Sequence, residues 1–142
     1  MKTNLQKAQE LLESGQYTCV VCRDDAIHTT TARGVAPLLN WLDRGLDLTD
    51  FSAADRVVGR GAAFLYCLLG VREVYARVMS HTAAEVLRLH GISVQADTFV
   101  DGIINRNGDG PCPFEAAVMD IRNPQEALVA IRNKRSQMQK GN

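Results

Sequence analysis

Residues Asp55 to Gly70, DRVVGRGAAFLYCLLG, read as a short strand, a tight glycine turn and a helix that is apolar almost all round. A helix without a polar face is buried on every side, so this one belongs in the middle of the molecule. The turn Gly59-Arg60-Gly61 then lies at the carboxyl end of a strand and the amino end of a buried helix. Ligands of open α/β sheets bind at such places. The stretch therefore suggests both a fold class and the position of a site.

The chain has 142 residues, 46% hydrophobic and 23% charged, and fits a single domain over 1–142. Lys plus Arg and Asp plus Glu each number 16, so the formal net charge is zero. That balance excludes a general nucleic-acid binder and leaves little repulsion to oppose a homo-oligomer. No apolar run approaches the roughly 20 residues of a membrane span. The amphipathic, polar start MKTNLQKAQELLESG is not a signal peptide, so a cytoplasmic protein is expected. Cys19, Cys22, Cys67 and Cys112 then read as reduced thiols.

Outward from the central stretch, Thr3 and Gln6 form a capping box before a helix that Gly15 ends. Tyr17–Cys22 and Ala26–Thr29 read as a hairpin turned by Asp24-Asp25. A second helix is predicted from Arg33 to Leu42, with Pro37 in its first turn. Leu46–Ala54 reads as a loop. After the central stretch come a strand over Val71–Met79, a helix over Thr82–His90 and a strand over Ile92–Ala96. Phe99–Ile104 is a further short strand or extended loop. Two helices follow, Phe114–Asp120 and Gln125–Gln139. This order predicts an α/β protein, a three-layer α/β/α sandwich with a mixed sheet.

Three stretches carry a family resemblance: RGVAPLL from Arg33, DRVVGRGAA from Asp55, and NRNGDGPCPFE from Asn105 to Glu115. Together with the element order they resemble a bacterial family of uncharacterised function that is assigned the cytidine deaminase-like fold. Active deaminases need H-x-E at one helix start and P-C-x-x-C at the next. Here the corresponding segments are Thr30-Thr31-Ala32-Arg33-Gly34 and Gly59-Arg60-Gly61-Ala62-Ala63. They supply neither zinc ligands nor the proton-carrying Glu, so no metal and no cofactor is expected, and zinc-dependent deamination is not the expected activity.

In the place of that zinc, the resemblance would bring two helix amino termini together. Thr30, Thr31, Arg33, Gly34, Gly59, Arg60 and Gly61 would then ring a spot suited to phosphate or carboxylate groups. The competing reading of Gly59-x-Gly61 is a tight turn with close helix–sheet packing. Arg106, in the turn-rich stretch Asn105–Gly110, is the long cation placed to reach a ligand from above. Cys112, just before a helix, is a candidate nucleophile or redox group, with a buried structural thiol as the alternative. Cys19 and Cys22 lie three apart on one strand, face opposite sides and cannot share a metal. Asp24, Asp25 and Asp55 read as turn and loop residues. The expected function is binding of a small anionic or nucleotide-like ligand by a sensor or regulatory module. The alternatives are a metal-independent enzyme using Cys112, and self-association through exposed apolar residues such as Trp41.

Overall fold

The computed structural model describes residues 1–105 and 107–140. The Thr3 capping box forms at the head of α1 (Asn4–Ser14): Gln6 N–H donates to Thr3 Oγ1 and Thr3 N–H to Gln6 Oε1. β1 (Cys19–Arg23) and β2 (Ala26–Thr30) make the hairpin around Asp24-Asp25. Asn4 Oδ1 accepts from Asp24 N–H and ties that turn to α1.

α2 (Ala36–Asp43) starts three residues later than Arg33. Gly34 adopts φ +70°, a left-handed conformation that breaks the helix before it begins. Thr30 Oγ1 accepts from Ala32 N–H, so this hydroxyl shapes the turn and caps no helix. β3 (Ser52–Val58) begins three residues earlier than Asp55, taking in what reads as loop. Ser52, Ala53 and Ala54 are all buried, because β3 is flanked by β1 and β4 and covered on both faces. Such a strand loses the alternation that betrays strands in a sequence.

α3 (Arg60–Leu69) is the apolar helix, with Ala63, Phe64, Leu65 and Tyr66 wholly buried. β4 (Glu73–Ser80) leads into α4 (His81–Leu89), whose first turn is capped by Ser80 Oγ accepting from Ala83 N–H. β5 (Ser93–Val100) is one continuous strand through Phe99, where the sequence suggested two short pieces. Its pairing with β4 overrides the weak pattern of Asp97-Thr98. α5 is only Pro113–Ala117, and α6 (Pro124–Lys140) begins where Asn123 Oδ1 accepts from Gln125 and Glu126 N–H.

The sheet is mixed, in the order β2-β1-β3-β4-β5. β1 runs antiparallel to both neighbours, while β3, β4 and β5 are parallel. Successive strand residues alternate between two apolar clusters. Val20, Cys22, Ala54 and Tyr75 pack with Ala8 and Leu12 of α1. Cys19, Val21, Ala53, Val74 and Ala76 pack with α2, α3, α4 and Ile131 of α6. The opposite facing of Cys19 and Cys22 follows from the same alternation. Trp41 is 4% exposed and sits in the larger cluster, so it is no surface residue for self-association. Among the described residues no helix is long and apolar enough to cross a membrane.

This topology sets one end of the sheet apart. The chain leaves β2, passes over β1 through α2 and enters β3, so the ends of β2 and β3 and the start of β1 meet at one edge. Gly34 and Gly59 both lie there.

Candidate functional site

The tip of α3 is filled by the chain itself. Arg60 N–H donates to Glu115 Oε1 at 2.8 Å, so a carboxylate from α5 occupies the amino terminus of α3. Gly59 is extended (φ −98°, ψ −179°), a conformation open to any residue. Its lack of a side chain matters for space, since a Cβ there would lie 2.0 Å from Glu115 Oε1. Burial raises the Glu115 pKa, while the bond from Arg60 N–H and the Arg60 charge oppose the rise.

Gly61 is buried, and a Cβ there would make ordinary contacts with the Phe114 carbonyl (3.5 Å) and Ile131 Cδ1 (3.6 Å). Arg60 turns away from the expected ring. Its Nε donates to Val118 O at 3.0 Å, its Nη2 donates to Ile121 O, and its guanidinium lies 5.1 Å from the Phe64 ring centroid. These bonds fasten the segment after α5 onto α3. Arg60 therefore points its guanidinium at protein carbonyls, while Gly59 and Gly61 stay in the wall of a small cavity. The anion at this helix end is Glu115.

One turn back along β3 lies a polar cluster that the sequence reading missed. Tyr66 O–H donates to Asp55 Oδ2 at 2.6 Å, and Cys19 Sγ lies 3.1 Å from Tyr66 Oη. Asp55 Oδ1 accepts from Arg56 N–H at 2.7 Å. Asp55 pairs with Cys19 across β1 and with Ala76 across β4, while Tyr66 comes from the buried helix. Burial raises the Asp55 pKa to about 6, against the lowering effect of the Tyr66, backbone and Cys19 hydrogen bonds. Burial also raises the Cys19 and Tyr66 pKa values well above their ordinary ranges, so both stay neutral. Asp55 is therefore no loop carboxylate. The missed signal was an acidic residue inside the stretch that leads into the most apolar helix of the chain.

Three cavities open around this edge, and all are lined by Gly34. The first, about 270 Å³, is bounded by Cys19, Asp55, Arg56, Arg33 and Pro37. The second, about 610 Å³, is bounded by Arg33, Asn105, Cys112, Phe114, Arg135 and Met138. The third, about 90 Å³, lies against Gly59, Glu115 and Cys112. Of the expected site residues, Arg33, Gly34 and Cys112 line the 610 Å³ cavity, and Gly34, Gly59, Gly61 and Cys112 the 90 Å³ one. Thr30 is held in its turn, Thr31 is exposed, and Arg106 lies outside the described residues. Arg135 was not foreseen, because its place in the wall beside Arg33's cavity depends on the packing of α6.

Cys112 is half-buried, and its N–H donates to Ile103 O at 2.9 Å. Cys67 of α3 is also half-buried, packed against the core, and burial pushes its thiol up to about 12. Among the described residues no three His, Cys, Asp or Glu side chains gather as a metal-binding set.

Residues 7–135 match the family model described as TM1506, Domain of unknown function (DUF1893). No curated protein matches the chain. Among solved structures, the DUF1893 family protein TM1506 from Thermotoga maritima aligns with a TM-score of 0.83. The two share 23% sequence identity over 96% of this chain and 92% of that one, a likeness of fold. The chain belongs to the DUF1893 family.

Proposed function

We propose that this DUF1893 chain is a zinc-less domain with a cytidine deaminase-like, three-layer α/β/α architecture. In this reading it is a cytoplasmic sensor or regulatory module that binds a small anionic or nucleotide-like ligand in the cleft around Gly34. The observation that carries the reading is the meeting of the 270 Å³ and 610 Å³ cavities at Arg33 and Gly34. Arg135 also lines the larger cavity, and among the described residues neither arginine has an ion-pair partner. Two arginines without ion-pair partners in a mainly apolar cleft suit a ligand with a planar body and an acidic end. Thr31, exposed beside Arg33, is within the same loop. Titration calorimetry with nucleoside mono- and triphosphates and phosphosugars tests this. Binding should weaken by roughly 10-fold or more in Arg33→Gln and in Arg135→Gln, the scale of a charge-assisted hydrogen bond. Affinity unchanged from the wild-type chain in both variants, or no binding at millimolar concentrations, removes the reading.

A second reading, a metal-independent enzyme with Cys112 as nucleophile or redox group, is favoured by one observation. Cys112 lines both the 610 Å³ and the 90 Å³ cavities, so a molecule in the cleft reaches its side of the wall. Iodoacetamide labelling of Cys112 that a bound nucleotide fails to slow would count against it.

A further inference from the structure

We infer that the smaller cavity beside Asp55 takes the oxyanion of the ligand, a phosphate or carboxylate group, between Arg33 and Arg56, and that it does so with a proton on Asp55. The inference rests on the reading that the cleft binds an anionic ligand, and it assigns which end of that ligand goes where.

The charge balance of the cavity comes first. Its charged lining residues are Arg33, Arg56 and Asp55, two cations against one carboxyl. Among the described residues, no hydrogen bond or ion pair engages the guanidinium of Arg33 or Arg56, and Arg56 Nε is buried without a partner. The other arginines around the fold show the contrast. Arg60 is spent on the Val118 and Ile121 carbonyls, Arg23 on the Thr49 carbonyl and Arg132 on Asp43. A buried guanidinium nitrogen left unsatisfied is a group that an incoming oxyanion can reorient and bind.

The carboxyl supplies the gate. Both oxygens of Asp55 are held, Oδ2 by Tyr66 O–H and Oδ1 by Arg56 N–H, so the carboxyl is fixed in the wall of the cavity. An ionised Asp55 repels an anion in the same cavity, and a neutral one does not. Binding of the anion and uptake of the proton therefore favour each other by the same factor. The groups facing Asp55 do not blur this. Cys19 of β1 and Tyr66 of α3 stay neutral, β4 presents Ala76, and the other charged groups lining the cavity are Arg33 and Arg56. The Asp55 pKa of about 6 puts the switch close to neutrality.

The test is calorimetry of the full chain with sodium sulfate, whose charge is constant across the range, at pH values from about 5.5 to 7.5. Sulfate is expected to bind at the acid end and to weaken roughly 10-fold by the other, as a like charge appears beside it. Proton uptake should show as a difference in heat between buffers of unlike ionisation enthalpy. Arg33→Gln and Arg56→Gln should each weaken sulfate, and Arg88→Gln on the exposed face of α4 should not. Asp55→Asn should bind equally across the range. Should that variant fail to fold, the buffer comparison on the wild-type chain decides alone. Affinity that is independent of pH, survives both arginine changes, or is absent at pH 5.5 overturns the inference. Parallel titrations with phosphate and acetate tell which oxyanion the cavity prefers. Nucleotide binding that needs Arg135 but ignores Arg56 and sulfate would sink this inference and leave the cleft reading intact. Gated sulfate binding without any nucleotide binding would do the reverse.

Discussion

Two polar sites lie four residues apart at the end of β3, and they are finished in opposite ways. At Gly59 the amino terminus of α3 is closed by Glu115, and Arg60 is fastened to carbonyls beyond α5. At Asp55 the carboxyl is held by Tyr66 and a backbone N–H, yet it borders a cavity whose arginines have no partners among the described residues. The first site is complete within the chain, so its polarity contributes to folding. The second keeps a raised pKa and an orphaned guanidinium nitrogen, both of which oppose folding. Groups that cost stability in the folded state mark where a ligand's contribution is to be sought.

The largest expected effect follows from that cost. The folded pKa of Asp55 is about 6, above the ordinary 3.8, so the folded state binds the proton more tightly than the unfolded state. The resulting stability is fully present below pH 3.8 and is lost as pH rises through 6. A shift of that size corresponds to on the order of 3 kcal/mol. Urea denaturation between about pH 4 and pH 7 should show the wild-type chain losing that much relative to Asp55→Asn. The difference between the two chains isolates Asp55 from Glu115, which shifts the same way, and from Asp47, which the Thr49 hydrogen bonds shift the other way. A flat difference, or one that grows with pH, would mean that the two sites do not differ as described.

The closed site makes a prediction about coupling. Gly59→Ala places a Cβ where Glu115 Oε1 now sits, so the carboxylate must leave the head of α3. Loss of this charge-assisted cap should cost about 2 kcal/mol by thermal or chemical denaturation. Glu115→Ala should cost about the same, since it removes the same bond. The two losses should not add. With Glu115 gone, Gly59→Ala meets mainly Ile103 Cγ1 at 3.0 Å, and the extended backbone of residue 59 accepts alanine. Additive losses in the double variant would show that Glu115 does not fill the tip of α3.

The same contrast explains what a sequence reader can and cannot see. The helix Arg60–Leu69 is legible because ten residues carry almost no polar side chain, and the hairpin is legible from β-formers around Asp24-Asp25. The start of β3 is not, because Ser52-Ala53-Ala54 is buried on both faces and shows no alternation. The position of the site is legible from the strand–turn–helix, but its membership is not. Gly59-x-Gly61 looks like an anion cradle until Glu115, 55 residues on, is seen to fill it. Asp55 looks like a loop residue until Tyr66 and Cys19 close over it. In both cases the deciding partner is brought in by packing that no local pattern encodes.

The smallest expected effect separates the cleft from the scaffold around it. Gly34 lines all three cavities at φ +70°, and a Cβ there would meet no atom within 4 Å. Gly34→Ala should therefore cost only the left-handed backbone term, about 1 kcal/mol, with no clash to relieve. That is about half the loss expected at Gly59, where backbone is free and space is short. Ligand affinity should move more than stability, because a strained turn shifts Arg33 at the junction of the two larger cavities. Thermal denaturation and nucleotide titration of this one variant read both quantities. A loss of stability larger than that of Gly59→Ala would show that the loop before α2 is part of the packed frame, and the contrast between a closed tip and an open cleft would fall with it.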